Sequence, residues 1–417
     1  YPFDFHWEWH PQNRSERFPS VQERVKLYMS NWYVPPCSRQ DLLDYKIKNV
    51  DSWPRAFISG QNNTIELDSI IDADIKFMFQ EEAIYDCART VTEIEREGTL
   101  STEERVKNRR NLQSYCSQVV GLVKYIKAMD DFTPKESRTI TPIVGQFGDG
   151  CIAPSNPPIP VIAKWRGAVT RTELDKQLTN ESCFDGPREP LNITRNVCKG
   201  MAPILWKLSV ARHWDPIVFA QRQDVRWKDK TLGALWRGDF TGKHKTKESD
   251  LELCFDNQRC AFVFNNRDSK IIDAGLSSGL SWLKNGTISG VQVIKGRVTM
   301  HQIQQYKVII SFEGNDVASG LKWSLLSESV VLMPPPTRTS WAMEELLEPW
   351  VHYIPMQPDG SNAEEMVQWV GDHDEEAHMI AERGRLFMYD LLYHPDAPAE
   401  ERAVKAEIAR LYHALWQ

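Results

Sequence analysis

Residues 306–333 read YKVIISFEGNDVASGLKWSLLSESVVLM, and they decide the predicted fold. A β-branched run at 308–312 is followed by a loop of small and polar residues, a helix-like segment at 321–327 and a second apolar run at 329–333. Short apolar runs bounded by loop residues are typical of buried strands, and a helix between two of them is the usual crossover of a parallel sheet. The stretch therefore predicts a strand–helix–strand unit.

The same alternation extends on both sides of this unit. Further strands are predicted at 140–144, 160–163, 232–236, 261–264 and 351–354. Further helices are predicted at 340–347, 362–370, 374–393 and 398–416. Apolar residues also recur at helical spacing between 65 and 127. The pattern predicts an α/β protein with a mainly parallel sheet.

The composition is that of a globular protein without a nucleic-acid signature. The chain has 417 residues, of which 41% are hydrophobic and 26% charged, and a formal net charge of -7. This length is typical of two domains or one large one, and the negative charge disfavours nucleic acid as a partner. No apolar run approaches the roughly 18 residues of a membrane span. Tyr1 is not a start residue, so membrane attachment is expected only through an N-terminal anchor missing from this sequence.

Cysteines and N-glycosylation sequons indicate the expected compartment. Two of the possible cysteine pairs are close enough in sequence to close short loops, Cys183 with Cys198 and Cys254 with Cys260. Five Asn-x-Ser/Thr sequons occur, at Asn13, Asn62, Asn180, Asn192 and Asn285. Disulfides and N-glycans are features of secretory-pathway proteins. The lumen of the endoplasmic reticulum or Golgi is therefore the expected location, and the cytoplasmic face of a membrane is the alternative for a bacterial-like protein.

Two loops that follow predicted strands combine small residues with basic ones. The first reads WRGDFTG at 236–242, and the second reads EGNDVASG at 313–320 and leads into Lys322. Parallel sheets bind ligands beyond the carboxyl ends of their strands. Small residues there let a phosphate approach the backbone, and a helix N-terminus offers N–H groups to it. Arg237 and Lys322 would neutralise a diphosphate; the alternative is two ordinary strand-to-helix turns with solvated cations.

Several motifs occur in a fixed order between about 203 and 393. They are RHWD at 212–215, WRGDFTG at 236–242, YKVIISFEG at 306–314, S-x-x-K-x-x-x-L at 319–326, SVVL at 329–332, LEPWVHYIP at 347–355 and HDEEAHMIAERGRLF at 373–387. Together these motifs resemble glycosyltransferase family 90, which includes protein O-glucosyltransferases and fungal capsule xylosyltransferases.

The resemblance implies a GT-B fold, in which two Rossmann-like domains face a cleft and C-terminal helices pack back on the N-terminal domain. The acceptor-side domain, with an irregular aromatic N-terminal segment, is then expected at 1–225, the nucleotide-sugar-binding domain at 226–384 and the returning helices at 385–417. The resemblance further implies a UDP-sugar donor, inverting chemistry and no required metal or other cofactor. A glycan or protein is the expected acceptor, and glucose and xylose are the favoured sugars.

The resemblance also gives roles to individual residues. The family's catalytic base is an Asp between two strands of the N-terminal domain, and the segment PIVGQFGD at 142–149 makes Asp149 the candidate. Asp in a Gly-Asp-Gly turn can alternatively serve local hydrogen bonding. As the base, Asp149 would take a proton from the acceptor hydroxyl, and Glu344 would accept hydrogen bonds from the ribose. The candidate donor-binding residues are Arg237, Gly238, Thr241, Gly314, Ser319, Lys322 and Glu344.

Two other functions stay open at this point. The sequence IIDAD at 70–74 places Asp72 and Asp74 in the Asp-x-Asp pattern with which GT-A transferases bind a metal. The apolar residues around this pattern have helical spacing, and little chain precedes it, which disfavours a nucleotide-binding half-domain there. The other possibility is a non-catalytic sugar-binding protein with the same fold. The presence of all three charged residues Arg237, Lys322 and Asp149 disfavours it.

Overall fold

The computed structural model describes residues 14, 18–33, 56–59, 64–67, 160, 162–168, 203–207, 213–242, 249–278 and 283–415. The chain divides into two compact units. The first is formed by Tyr1–Ser20 with Val210–Glu400, and the second by Val21–Ser209 with Glu401–Gln417. The domain boundaries expected from the sequence stay a prediction.

Helices and strands alternate along the described residues. The helices are α1 (Val21–Met29), α2 (Asp215–Arg222), α3 (Asp250–Asp256), α4 (Gln258–Asn265), α5 (Met300–Gln304), α6 (Leu321–Leu326), α7 (Ala363–Asp372), α8 (Asp374–Leu392) and α9 (Ala397–Ala414). The strands are β1 (Ala56–Ser59), β2 (Thr64–Leu67), β3 (Ile162–Ala163), β4 (Trp165–Gly167), β5 (Ile204–Leu205), β6 (Thr231–Gly238), β7 (Ile272–Leu276), β8 (Thr287–Ile288), β9 (Val291–Gln292), β10 (Tyr306–Ile310), β11 (Val330–Met333), β12 (Arg338–Ser340) and β13 (Ile354–Pro355).

Within the described residues, the first unit contains a parallel sheet of five strands in the order β7-β6-β10-β11-β13. Val308 of β10 aligns with Ala234 of β6 on one side and with Val330 of β11 on the other. The chain adds β7 on one side of β6 and the later strands on the other, so the strand order reverses between β6 and β10. The predicted parallel α/β sheet is confirmed. Its topological switch point, where such sheets bind ligands, lies between β6 and β10.

The sheet is buried because helices cover it. Helix α7 packs on β6 and β10, α8 packs on β11 and on α6, and α4 packs on β7. All four residues of β11 are buried, as expected for a parallel strand with neighbours on both faces. Near the carboxyl ends of β6 and β10, the rings of Trp236, Phe262 and Phe312 form a cluster with centroids 5.0–5.7 Å apart. This cluster supports the loops that leave these two strands.

The predicted strand at 261–264 is wrong, because these residues lie in α4. Asn257 caps that helix with its side chain, which accepts a 3.1 Å hydrogen bond from the backbone N–H of Cys260. A disulfide joins Cys254 of α3 to Cys260 of α4, which is one of the two short pairings considered from the sequence. A short apolar run does not by itself distinguish a buried strand from a buried helix.

The predicted helix at 340–347 is also wrong, since only a 3-10 turn, Glu344–Leu346, forms there. Met343 has a left-handed backbone with φ of 57°, which interrupts a right-handed helix. The Glu344 carboxylate accepts hydrogen bonds from the backbone N–H and the hydroxyl of Ser340, at 2.7 and 2.8 Å. These side-chain bonds take the place of helical ones. The predicted strand at 351–354 is displaced toward its end, to Ile354–Pro355.

The second unit joins early and late parts of the chain. Strands β3 and β5 pair in parallel, and buried Arg166 donates a 3.0 Å hydrogen bond to the Leu27 carbonyl. The part of α9 from Glu401 onward belongs to this unit: Glu401 forms a 2.8 Å ion pair with Lys207. The hydroxyl of Tyr412 donates to the Pro160 carbonyl at 3.4 Å.

His413 in α9 predicts a pH dependence of stability. Its side chain is buried, and burial lowers its pKa from 6.5 to about 4. Because the unfolded chain binds this proton more readily, the stability is fully present above about pH 6.5 and is lost as the pH falls toward 4. His413→Gln is expected to reduce the pH slope of the unfolding free energy in this window by up to about 1.4 kcal/mol per pH unit. Urea unfolding between pH 7 and pH 4 measures this slope, and parallel curves for the two proteins would contradict the prediction.

Candidate functional site

Two loops meet at the switch point of the sheet. The β6 loop (239–242) follows β6, and the β10 loop (311–316) follows β10. The backbone N–H of Gly242 donates a 3.0 Å hydrogen bond to the Asn315 side chain. The two loops are thus connected directly, at the edge where a parallel sheet binds its ligand.

Arg259, from α4, links these loops a second time. Its three guanidinium nitrogens donate to the carbonyls of Asp239 (3.1 Å), Phe312 (2.9 Å) and Glu313 (3.1 Å). Burial lowers the pKa of Arg259 to about 10, while the carboxylates of Asp239 and Asp316 act in the opposite direction. The group is therefore charged at neutral pH, and the carbonyl oxygens of both loops point toward that charge.

The neighbouring Asn257 contributes from the same helix pair. Its side-chain N–H group donates a 3.0 Å hydrogen bond to the carbonyl of Thr241, while its oxygen caps α4. The α3–α4 turn, closed by the Cys254–Cys260 disulfide, therefore holds the β6 loop through Asn257 and both loops through Arg259. Both partners of each of these contacts are described residues.

Gly314 allows the two loops to approach closely. A Cβ atom at this position would lie 2.7 Å from the Thr241 hydroxyl oxygen and 3.0 Å from a guanidinium nitrogen of Arg259. Gly242 faces the same place from the other loop, with φ of +107° and a Cβ position 3.5 Å from the Gly314 carbonyl oxygen. Of the predicted donor-binding residues, the structure therefore brings Thr241 and Gly314 together.

This close approach predicts the effect of a single methyl group. Gly314→Ala is expected to destabilise the protein by about 1–3 kcal/mol, because the added atom overpacks the space between the loops. The double variant Gly314→Ala with Thr241→Ala removes the nearer clash and should recover part of the loss. Urea unfolding of both variants measures the effect, and a Gly314→Ala protein as stable as the wild type would contradict it.

Arg237 lies at the end of β6 and is held by backbone and carboxylate groups. It donates to the carbonyls of Trp236 and Asp273 and to the Asp273 carboxylate, each at 2.8 Å. Lys295 donates to the other oxygen of the same carboxylate at 2.8 Å. Burial acts to raise the pKa of Asp273, but the hydrogen bonds from Arg237 and Lys295 outweigh it and lower that pKa. The carboxylate is thus shared by two cations, and the guanidinium group is fixed at the edge of the sheet.

Asp239 ties the β6 loop to the end of β7. One of its carboxylate oxygens accepts hydrogen bonds from the hydroxyls of Ser277 (2.6 Å) and Ser278 (2.8 Å). The hydrogen bond from Ser277 is the main cause that lowers the pKa of Asp239. Gly238, a predicted donor-binding residue, ends β6, and its carbonyl accepts from the backbone N–H of Ser277 at 2.9 Å.

Glu313 ties the β10 loop to the segment that follows β11. Its carboxylate accepts hydrogen bonds from the backbone N–H groups of Thr337 (2.8 Å) and Arg338 (2.9 Å) and from the Thr337 hydroxyl. It also forms a 2.7 Å ion pair with the Arg338 guanidinium group. The loops that follow β7, β6, β10 and β11 are therefore linked in sequence along one edge of the sheet.

Lys322 and Glu344, which follow the β10 loop in the chain, form a buried ion pair. Lys322, the second residue of α6, is 1% exposed, and its Nζ lies 3.3 Å from the Glu344 carboxylate and 5.2 Å from the ring centroid of Trp214. Glu344 is 2% exposed and also accepts from Ser340. Ser319 precedes α6 by two residues, and the N-cap position, Gly320, makes no side-chain cap. The structure thus brings Lys322 and Glu344 together.

Some predicted residues lie outside the described part of the chain. These are the candidate base Asp149 and the alternative metal-binding pair Asp72 and Asp74. Among the described residues there is no group of three or more His, Cys, Asp or Glu side chains that could hold a metal ion. No helix of the described ranges is long and apolar enough to span a membrane.

Arg259, Asn257 and Glu313 are site residues that the sequence analysis missed. Arg259 and Asn257 lie just before the segment 261–264, which was expected to be a buried strand, and neither residue belongs to a motif. The signal that could have found them was the Cys254–Cys260 pair, because the two residues lie between its cysteines. Glu313 was placed in a phosphate-binding loop by its neighbours, and its partner Arg338 is too distant in sequence to be inferred.

The segment that contains this edge of the sheet resembles known proteins. Residues 209–396 match the model of Glycosyl transferase family 90. The O-glucosyltransferase LpsA of Dichelobacter nodosus is 28% identical over 185 residues, which is 44% of this chain and 50% of that protein. Protein O-glucosyltransferase 2 of Danio rerio is 29% identical over 197 residues (47% of this chain, 34% of that protein). The human Protein O-glucosyltransferase 1 is 27% identical over 172 residues (41% and 40%).

The chain spans half or less of the length of these relatives. The matched segment contains α2, the whole parallel sheet, both loops of the switch point and the Lys322–Glu344 pair. The family match agrees with the predicted family over this segment. Residues 209–396 therefore belong to glycosyl transferase family 90.

Proposed function

We propose that this protein is a glycosyltransferase that moves glucose or xylose from a UDP-sugar to a hydroxyl group of a glycan or protein acceptor, with inversion and without a metal. The observation that carries the proposal is the pair of linked loops at the switch point, since both loops fall within the family-matched segment. Ligands of parallel α/β sheets bind at this place. The GT-B arrangement of two domains is part of the proposal.

The diphosphate of the donor is proposed to bind beside the β6 and β10 loops. Arg237 supplies a planar cationic group that matches phosphate oxygens, and Asp273 holds it ready in a fixed position. Gly238, Thr241 and Gly314 are the proposed donor-binding residues of these loops, and the backbone near Ser319 would offer N–H groups to phosphate oxygens. The N–H groups of Thr241 and Gly314 themselves donate to the carbonyls of Asp239 and Asp316. The proposed donor-binding groups would take the role that a metal has in other transferases, the stabilisation of the charge that develops on the leaving diphosphate.

Lys322 and Glu344 are proposed to act as a pair. A cation in a low-dielectric surrounding affects a nearby diphosphate more strongly than a solvated one, and Glu344 keeps the Lys322 ammonium group in place. A carboxylate offers about four acceptor sites, so Glu344 is also kept as the proposed partner of a ribose hydroxyl. The Trp214 ring faces the Lys322 ammonium group. A donor would therefore approach this ammonium group from a side that the ring does not cover.

Asp149 is proposed as the general base. It would take the proton of the acceptor hydroxyl while that oxygen attacks the anomeric carbon from the face opposite the diphosphate. The bond from the anomeric carbon to the diphosphate oxygen breaks at the same time, so an α-linked donor gives a β-linked product. The disulfide Cys254–Cys260 supports a proposed location in the lumen of the secretory pathway.

A panel of nucleotides tests the donor class. UDP, UDP-glucose, UDP-xylose, UDP-galactose, UDP-N-acetylglucosamine and GDP-mannose are each titrated into the purified protein in the presence of a chelator, and binding is followed by calorimetry and thermal stabilisation. UDP and at least one UDP-sugar are expected to bind, and GDP-mannose is not. Absence of binding by every uridine nucleotide would overturn the proposal.

A further inference from the structure

Arg259, like Arg237, is held by hydrogen bonds to the protein, but its partners lie in both loops of the switch point. Its guanidinium group faces three backbone carbonyls, and these carbonyls belong to two different loops. These three hydrogen bonds join α4 to both loops. They decide which way the peptide groups of Asp239, Phe312 and Glu313 are turned.

The orientation of these peptides matters for an anion. When a peptide carbonyl is turned toward Arg259, the N–H group of the next residue is directed elsewhere, because the peptide unit is planar and trans. The peptides after Asp239, Phe312 and Glu313 carry the N–H groups of Phe240, Glu313 and Gly314, respectively. Because half-buried Arg259 holds these carbonyls, their negative dipole ends lie toward the cation, and the positive ends of the peptide units, which a phosphate prefers, lie away from it. The N–H group of Gly314 donates to the Asp316 carbonyl at 3.1 Å within the β10 loop.

Arg259 lies near the start of α4, in a segment that is held by several contacts. Arg259 is next to Cys260, whose disulfide to Cys254 closes the α3–α4 turn, and Asn257 caps α4 within the same short segment. Asn257 also bonds the Thr241 carbonyl. The aromatic cluster of Trp236, Phe262 and Phe312 packs beneath. The segment that carries Arg259 is thus held by the disulfide and the helix cap as well as by contacts with the loops.

We propose that Arg259 is a positioning residue for the donor, and that it holds the β6 and β10 loops in the one conformation that accepts a nucleotide diphosphate. This inference rests on the proposed function, which assigns those loops to the donor. It adds a residue that does not touch the donor and acts through the peptide groups of the loops. In this proposal, the disulfide-closed segment 254–260 holds the two loops in the binding conformation before the donor arrives.

Preorganisation has a measurable consequence. If only a fraction of the molecules has the binding-competent loop conformation, the apparent dissociation constant rises by the inverse of that fraction. Replacing Arg259 by Met keeps a side chain of similar reach without the three donors. A competent fraction of about one tenth would raise the dissociation constant for UDP about tenfold. Arg259→Lys retains the charge and one contact at a time, so its effect should be smaller.

The experiment compares Arg259→Met, Arg259→Lys and a control, Arg267→Met. Arg267 is the next arginine after Arg259 in the sequence, its side chain is 41% exposed, and it bonds the Phe264 carbonyl away from both loops. Three quantities are measured for each protein: affinity for UDP by calorimetry, the separate kcat and KM for UDP-glucose, and amide hydrogen exchange of the unliganded protein. We expect Arg259→Met to weaken UDP binding and raise KM about tenfold, with a smaller change in kcat, and Arg267→Met to resemble the wild type.

Hydrogen exchange separates positioning from general support of the fold. Faster exchange is expected in peptides that cover 239–242 and 311–316, with unchanged exchange in β11 and α8. Unchanged exchange in both loops, faster exchange throughout the sheet, or a loss of kcat at constant KM would each overturn the role of Arg259. A wild-type protein that binds no uridine nucleotide would overturn the proposed function itself, and with it the donor role of the loops.

Discussion

Asp149→Asn is expected to lower the rate of sugar transfer by about 10²- to 10⁴-fold, the range typical of a lost general base. Asn has nearly the shape of Asp but does not take up a proton at neutral pH, so the acceptor hydroxyl would remain a poor nucleophile. The dissociation constant for UDP should stay unchanged, because the proposed donor contacts are all in the family-matched segment 209–396. Transfer rates under saturating donor, together with calorimetry of UDP, measure the two effects separately.

Controls for this prediction come from the other candidate carboxylates. Asp72→Asn and Asp74→Asn should each leave transfer near the wild-type rate, since the proposal gives neither residue a role. If these two variants lose activity while Asp149→Asn keeps it, the metal-dependent GT-A alternative replaces the present one. An Asp149→Asn protein with wild-type turnover would show that the base is another residue.

Arg237→Ala is expected to lower turnover by about 10²- to 10³-fold, as for the loss of one preorganised group that stabilises transition-state charge. It should also weaken UDP binding roughly tenfold or more, because a charge-assisted hydrogen bond contributes about 1.5–3 kcal/mol. The structure supplies the reason for a large effect: the guanidinium group is held by two carbonyls and the Asp273 carboxylate at the carboxyl end of β6. A fixed group stabilises charge without reorganising.

Lys295→Met is the matched control for Arg237→Ala. Lys295 bonds the same Asp273 carboxylate, so the Lys295→Met variant also removes one positive charge beside that carboxylate. Lys295 has no proposed contact with the donor. Its effect on turnover should be several-fold smaller than that of Arg237→Ala. Equal effects of the two variants would mean that Arg237 acts only through Asp273. Circular dichroism and urea unfolding confirm that both variants are folded.

The elements built from clear local signals were predictable. The strands at 232–236, 308–312 and 329–333 and the helices at 321–327, 362–370 and 374–393 correspond to β6, β10, β11, α6, α7 and α8. Each of them combines an apolar run or helical spacing with loop residues at its ends, so local and tertiary preferences agree. The order of the strands across the sheet could not be read from these signals, because it depends on contacts that are distant in sequence.

The failures at 261–264 and 340–347 come from contacts between residues close in sequence. In the first case, the Asn257 cap and a disulfide favour a helix where a short apolar run is ambiguous. In the second, a strong set of helix-forming residues is interrupted because Glu344 bonds Ser340 and Met343 adopts a left-handed conformation. The Lys322–Glu344 pair is a consequence of that turn, so its geometry was outside the reach of sequence reasoning.

The two loops of the candidate site were predicted from the sequence. The residues that hold these loops in place were not. Arg237, Gly238, Thr241 and Gly314 carry motif signals, since small and basic residues after strands are typical of anion-binding loops. Arg259 has none, because its role depends on the direction of three carbonyl groups. Residues that shape a site through backbone groups are in general invisible to motif reasoning.

The most direct test of the account is the release of UDP from UDP-glucose and UDP-xylose by the purified protein in excess chelator, with and without simple glycoside acceptors. We expect UDP to form from at least one donor, at a rate that the chelator leaves unchanged and that Arg237→Ala and Asp149→Asn lower as described above. Failure to release UDP from any donor, or activity that disappears in chelator and returns with a divalent metal, would contradict the central claim of a metal-independent UDP-sugar transferase.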